Sequence, residues 1–227
     1  MHGSVAVAYK RADSVPDFMR DTTSIDAMAI RAIDLIITIL ALIFFLPFMV
    51  VIAAFVYIAD PGPIFYAQRR VGHHGDMFRC LKFRTMAVDA DERLIKLLAS
   101  DPQARQEWHR DHKLRNDPRI VGIGRFLRKS SLDELPQLLN VLLGDRSVVG
   151  PRPIVESEIQ RYGRYIINYC AIKPGITGLW QISGRNHTTY RRRVALDVAY
   201  SRSRSARLNL HIIVRTVPSV LFARGSY

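Results

Sequence analysis

From Leu35 to Ala59 the chain runs for 25 residues without a charged side chain (LIITILALIFFLPFMVVIAAFVYIA). A helix of that length crosses a hydrocarbon core of about 30 Å. Irregular backbone is excluded there, because its N–H and C=O groups find no water. Pro47 stands in the middle of the run. Proline removes a helical hydrogen bond and crowds the preceding turn. The residues alone leave two topologies open: one kinked helix that crosses, or two half-segments that enter and leave on the same face. Arg31 and Asp34 stand at the entry, spaced i,i+3 on one helix face, and Asp60-Pro-Gly-Pro63 is a strong stop. Residues 1–28 are polar and mixed in charge, with no secretory pattern, and read as an N-terminal tail.

Charge is spread unevenly around this run. Residues 1–31 hold four basic and four acidic side chains, and residues 32–59 hold only Asp34. Residues 60–227 hold 29 basic against 15 acidic, a net +14. A domain this basic expects an anionic partner and stays on the cytoplasmic side of the membrane element. Cys80 and Cys170 show neither metal spacing nor a disulfide framework and read as free thiols in a reducing compartment.

Within the basic region, Ser130 to Pro153 (SSLDELPQLLNVLLGDRSVVGPRP) places adjacent carboxylates, Asp133 and Glu134, before a short apolar helix over Pro136–Leu143 that stops at Gly144. Arg128 and Lys129 precede the acids; Arg146 and Arg152 follow. A carboxylate can attack phosphorus or hold a divalent metal, while arginines neutralise phosphate oxygens. A plainer reading competes: Ser131-Leu-Asp-Glu134 fits a capping box. Pro136 complicates that cap, and the pattern leaves both readings open.

The remaining segments read more simply. Ile64–Val71 and Met77–Met86 read as strands joined by the turn Gly72–Gly75; Arg79, Lys82 and Arg84 make the second either a solvated edge or a phosphate-binding wall. Ala87–Leu114 reads as helix divided at Pro102. His109 and His112, at i,i+3, lack an evident third metal ligand. Asn116–Arg119 is a turn. Gly122-Ile-Gly124 does not continue as a dinucleotide loop. Pro151 and Pro153 stiffen the backbone on either side of Arg152. Glu156–Ala171 reads as one amphipathic helix. Lys173–Arg185 is a glycine-rich loop, suited either to close backbone approach to a ligand or to tight packing around Trp180. Tyr190-Arg-Arg-Arg193 is a charge run, and Leu208–Phe222 an apolar segment able to lie in a membrane interface.

With these motifs set out, the chain resembles the bacterial sugar transferases, specifically the monotopic polyprenyl-phosphate phosphoglycosyl transferases. The resemblance runs from about Arg31 to Tyr227 and rests on five motifs. They are Lys82-Phe-Arg-Thr-Met86, Asn116-Asp-Pro-Arg119, Arg128–Gln137, Val149-Gly-Pro-Arg-Pro153 and Lys173–Arg185. Within the family it is most similar to the compact exopolysaccharide galactose-1-phosphate transferases, down to Arg224-Gly-Ser-Tyr227.

The resemblance implies an α/β or α+β fold with three parts: the tail 1–28, a re-entrant membrane helix 29–60 broken at Leu46–Pro47, and a helix-rich cytosolic domain 61–227 with a small sheet. It implies transfer of a hexose-1-phosphate, galactose before glucose, from a UDP-sugar to undecaprenyl phosphate at the cytoplasmic face of a bacterial inner membrane. Asp133 is then the nucleophile and Glu134 assists, the two holding Mg²⁺. Lys82, Arg84, Arg128, Arg152 and Arg185 are phosphate-binding candidates, and Arg31 is the candidate contact for the lipid phosphate. Nucleic acid is not an expected partner; membrane lipids are, and an oligomer is compatible with the pattern. Four departures from the usual pattern stand out: Leu46 where serine is common, Arg146 where methionine is, Asn209 where aspartate is, and no tryptophan within Ser201–Arg207.

Two other classes compete on residues alone. A basic membrane-attached binding protein would show salt-dependent polynucleotide binding, though no nucleic-acid motif is present. A membrane-bound hydrolase would use the same Asp133 chemistry with water as acceptor.

Overall fold

The structure is a computed structural model that describes residues 24–111, 114–184 and 188–221. The long apolar run forms part of a single helix, α1 (Ser24–Ala59), of 36 residues, roughly 54 Å long. The backbone stays helical through Leu46 and Pro47, so the expected break is not a gap in the helix. Proline inside a helix costs one hydrogen bond and kinks or breaks it; here the helix continues through Pro47. The helix also begins earlier than expected, taking in residues 24–28 of the presumed tail; residues 1–23 lie outside the described residues. Much of α1 is exposed, including Ile36, Leu40, Ile43, Phe44, Phe48 and Val51. This apolar surface calls for a nonaqueous partner.

After α1 come β1 (Phe65–Val71) and β2 (Met77–Phe83), paired as a two-stranded hairpin through a 3₁₀ turn at His73–Gly75. Helices α2 (Ala90–Ser100) and α3 (Pro102–Asp111) divide at Pro102 as expected. Next are α4 (Gly124–Ser130) and α5 (Gln137–Leu143). Then follow β3 (Ser147–Val149), the short α6 (Ile159–Tyr162) and α7 (Ile166–Cys170), β4 (Gly175–Thr177) and α8 (Leu179–Ile182). Two longer helices, α9 (Tyr190–Ser203) and α10 (Ala206–Leu221), complete the order. The class is a helix-rich α/β fold with two small sheets, β1–β2 and β3–β4.

Glu156–Ala171 is not the single helix its apolar spacing suggested. It is two short helices joined by the 3₁₀ turn Gly163–Tyr165. Gly163 adopts φ +52°, which ends α6 and re-aims the chain.

The described residues form two compact units. One lies within Met1–Phe44, Gln68–Cys80 and Gln137–Ser226; the other lies within Phe45–Ala67 and Leu81–Pro136. In the first, β3 and β4 pair in parallel, Ser147 with Gly175 and Val149 with Thr177. Val141, Val148, Val149, Ile172, Tyr200 and Ile212 form a core around this pair. A second cluster gathers Val71, Ile154, Tyr162, Tyr169, Cys170, Val194 and Val198.

Several buried polar residues of this unit are consumed by structure. Arg146, one of the departures, is 2 % exposed and donates to Gln137 Oε1 and the Gly175 carbonyl, tying α5 to β4. Asn209, fully buried, accepts from the Tyr200 hydroxyl at 2.7 Å. Asp34 accepts from the Ser147 hydroxyl (2.9 Å) and the Val148 N–H (2.8 Å), which docks α1 on β3. The glycines of the 173–185 loop serve packing: a Cβ on Gly175 would collide with the Gly150 backbone.

In the second unit the end of α1 is held by its successor turn. Asp60 accepts from the Val88 N–H at 2.9 Å and from Arg84. An isolated antiparallel bridge joins Met86 to Ile120, and the Ala87 N–H bonds the Arg119 carbonyl at 2.8 Å. These contacts lay the Asn116–Arg119 turn beside the continuation of β2.

Candidate active site

The site is built in the second unit by three adjacent pieces. β2 carries Lys82 and leads to Thr85. Helix α4 presses against that strand end because Gly124 has no side chain; a Cβ there would strike the Thr85 carbonyl. This close approach lets Arg128, one turn on, donate from Nε to Thr85 Oγ1 at 2.7 Å. The third piece follows directly: α4 ends at Ser131, whose φ of +58° is rare outside glycine. The reversal starts the 3₁₀ turn Leu132–Glu134, which carries both acids.

Ser131 makes no side-chain cap, so the capping-box reading fails. The apolar helix begins only at Gln137, past Pro136, and ends at Gly144 with φ +93°, close to the expected bounds.

Asp133 is 8 % exposed, whereas Glu134 reaches further into solvent. Lys82 Nζ bridges the two, 2.6 Å from Glu134 Oε1 and 3.8 Å from Asp133 Oδ2. Burial pushes the Asp133 carboxyl above the ordinary aspartate range. Lys82 and Arg128 oppose that shift, and the neighbouring Glu134 charge adds to it. Arg128 is itself lowered by burial, with the charges of Asp117 and Asp133 acting in the other direction.

Behind this cluster lies an ion pair within the Asn116–Arg119 motif. Asp117, 7 % exposed, is gripped by Arg119 through Nε to Oδ1 (2.8 Å) and Nη2 to Oδ2 (2.6 Å). Burial works against the Asp117 charge, but the side-chain and backbone hydrogen bonds of Arg119 prevail and hold its carboxyl below the usual range. The Arg119 guanidinium stacks over Trp108 at 4.8 Å. The pattern of an acid and an arginine around a proline turn was the available signal. For Thr85 there was none, since its role depends on the approach of α4.

The other candidates fall elsewhere. Arg84 does not join the acids: it donates to the Asp60 carbonyl and pairs with its carboxylate at 3.5 Å, with a side chain 9 % exposed. It serves the turn after α1. In the other unit, Arg152 stands exposed between buried Pro151 and Pro153. Arg31 donates to the Val141 and Leu142 carbonyls at 2.8 and 3.0 Å, capping the end of α5. Arg185 and His112 lie outside the described residues. Among the described residues no group of three or more His, Cys, Asp or Glu side chains forms a metal cage.

Asp133, buried yet without the two-pronged clasp that holds Asp117, sits beside cations able to receive phosphate oxygens. Comparison with known proteins agrees with this chemistry. The bacterial sugar transferase model matches residues 25–223. The chain belongs to the bacterial sugar transferase family. Among similar proteins is the exopolysaccharide production protein ExoY of Rhizobium meliloti (strain 1021), 46% identical over 221 residues, covering 96% of this chain and 98% of the relative. The undecaprenyl-phosphate galactose phosphotransferase of Salmonella typhimurium is 48% identical over 197 residues, 87% of this chain and 41% of the relative. The UDP-glucose:undecaprenyl-phosphate glucose-1-phosphate transferase of Xanthomonas campestris pv. campestris is 38% identical over 233 residues, 99% of this chain and 44% of the relative. As a bacterial sugar transferase, the chain is a sugar-phosphate transferase whose long apolar helix is sufficient in length to enter a membrane.

Proposed function

We propose that this sugar transferase moves a hexose-1-phosphate, galactose-1-phosphate first among the candidates, from a UDP-sugar to undecaprenyl phosphate, opening exopolysaccharide synthesis. One observation carries the reading: a buried carboxylate, Asp133, 3.8 Å from the Lys82 ammonium and within the field of Arg128, without the two-pronged guanidinium grip that holds Asp117. A carboxylate whose proton affinity is raised by burial is a stronger nucleophile once ionised. The named activities of the Salmonella and Xanthomonas relatives support the donor and acceptor classes.

An Asp133 carboxylate oxygen attacks the sugar-linked phosphorus of the UDP-sugar. The bond from that phosphorus to the bridging oxygen breaks, and UMP leaves with the electron pair. A phosphosugar–aspartyl intermediate remains, an acyl phosphate on Asp133. An oxygen of undecaprenyl phosphate then attacks the same phosphorus, regenerating the carboxylate and giving the lipid diphosphate sugar. Lys82 and Arg128 neutralise the phosphate oxygens during both displacements. Asp133 and Glu134 suit Mg²⁺, which asks one or two carboxylates of the protein and takes its other ligands from phosphates and water. They already share one cation, the Lys82 ammonium. Bound there, Mg²⁺ would supply charge compensation to the diphosphate.

The same reading places α1 in the bacterial inner membrane with both ends on the cytoplasmic face. Near its start, Arg31 and Asp34 bond α5 and β3; at its end, Asp60 bonds Val88 and Arg84.

Product analysis tests the proposal. Purified chain with Mg²⁺, UDP-galactose and undecaprenyl phosphate is expected to yield UMP and a lipid diphosphate galactose. UMP with free galactose-1-phosphate, independent of lipid, would replace the transferase with a hydrolase. Faster turnover of UDP-glucose would replace the sugar alone.

A further inference from the structure

In the first unit, residues 151–154 are held at four successive carbonyls. The Gly175 N–H of β4 donates to Pro151 at 2.8 Å, and the Val71 N–H of β1 donates to Ile154 at 2.9 Å. The two carbonyls between them receive guanidiniums. Arg193 of α9 donates from Nη2 to the Arg152 carbonyl at 3.5 Å. Arg70 of β1 donates from Nη1 to the Pro153 carbonyl at 3.1 Å. Pro151 and Pro153 fix their own φ on either side. The backbone of Arg152 is therefore bolted in place. Arg152 is itself exposed, and its guanidinium makes no hydrogen bond and no ion pair among the described residues.

Both clamps are themselves confined. Arg193 is 9 % exposed, and its guanidinium lies over the Trp180 ring at 5.2 Å and over the Tyr190 ring at 5.3 Å. Its Nε stands 3.9 Å from Asp197 Oδ2. Arg70 also donates to Gln68 Oε1 at 2.7 Å and lies 3.9 Å from Glu158 Oε2. Burial lowers the proton affinity of Arg70, and the charge of Arg152 lowers it further. A neutral N–H or a water would satisfy either carbonyl without charge. Two cations placed there, beside a third, repel one another, and an anion taken by Arg152 offsets that repulsion.

We propose that Arg193 and Arg70 are positioning residues, which fix the backbone of Arg152 so that its guanidinium stands ready for a diphosphate. The ligand rests on the sugar transferase reading above, in which that diphosphate belongs to the UDP-sugar. A guanidinium carried on fixed backbone loses less freedom when it binds. The two clamps act through Arg152 and not on the ligand.

A double-mutant cycle tests this, with UDP-galactose as the probe and calorimetry of the full chain in detergent as the readout. Asp133→Asn serves as the parent, so that binding is read without turnover. Arg152→Ala is expected to weaken binding about tenfold, the loss of a charge-assisted contact. Arg193→Gln and Arg70→Gln should each weaken it about fivefold while Arg152 is present, and less than about twofold once Arg152 is alanine. Equal losses with and without Arg152 would overturn the positioning role and leave the clamps to the fold alone. Unchanged binding in Arg152→Ala would overturn the role of Arg152 itself. Thermal melting is followed for every variant; the clamps lie on different elements, so if one variant fails to fold the other decides. A folded parent that binds no UDP-galactose would overturn the ligand and the transferase reading with it. Binding without coupling overturns the clamps alone, so the two failures are distinguishable.

Discussion

Two turns of one unit, Asn116–Arg119 and Leu132–Glu134, each bury an aspartate beside basic side chains, and they treat it in opposite ways. Asp117 receives two short bonds from one guanidinium and is held below the usual range despite its burial. Asp133 receives no such clasp; Lys82 stays 3.8 Å away, and burial prevails. The lesson is that burial and positive charge do not by themselves decide an acid's role. A carboxylate whose lone pairs are all engaged is a strut, and one whose charge is compensated at a distance can still attack.

The contrast is broken most severely by Asp133→Asn. Turnover should fall at least about 10³-fold, as when a covalent nucleophile is removed. The melting temperature should not fall with it, because the variant removes a buried charge. A folded Asp133→Asn chain that still turns over would end the account. Asp117→Asn should do the reverse. Leaving the Arg119 guanidinium without its carboxylate should cost about 3 kcal/mol of stability. Chemical denaturation would measure that loss, and residual activity should track the folded fraction.

Lys82→Gln sharpens the comparison through pH. An acid whose folded pKa is raised is ionised only at higher pH, so the acid limb of kcat/KM should already lie above the normal aspartate range. Lys82 lowers that pKa, and its removal should move the limb further up while cutting kcat about 10²-fold. A limb that stays in place would separate Lys82 from the nucleophile. The smallest effect belongs to Ser131→Ala. A working N-cap would cost about 1 kcal/mol; with no cap bond, the loss should stay below about 0.5 kcal/mol in the same denaturation assay.

Much of this was legible in the sequence, for local reasons. The uncharged run specified α1, Pro102 divided α2 from α3, and Gly144 ended α5, because each acts on its own turn of chain. What failed depended on neighbours distant in sequence or on one dihedral. Ser131 matched a capping box, but with its left-handed backbone it makes no side-chain cap bond. Gly163 divided a segment whose apolar spacing looked continuous. Arg84 looked equivalent to Lys82 two residues earlier, yet Asp60 holds it. Thr85 became visible only through the approach of Gly124. The 173–185 glycines looked like a ligand loop, and at Gly175 they answer to the backbone of Gly150.

The central claim is that Asp133 carries the sugar phosphate. Intact-protein mass spectrometry tests it directly, on detergent-purified chain with Mg²⁺ and UDP-galactose and no lipid, while UMP is followed in parallel. The account predicts one added hexose phosphate per chain, matched by UMP, absent in Asp133→Asn and discharged by undecaprenyl phosphate. UMP released at the turnover rate with no adduct, or an adduct that persists in Asp133→Asn, would contradict it.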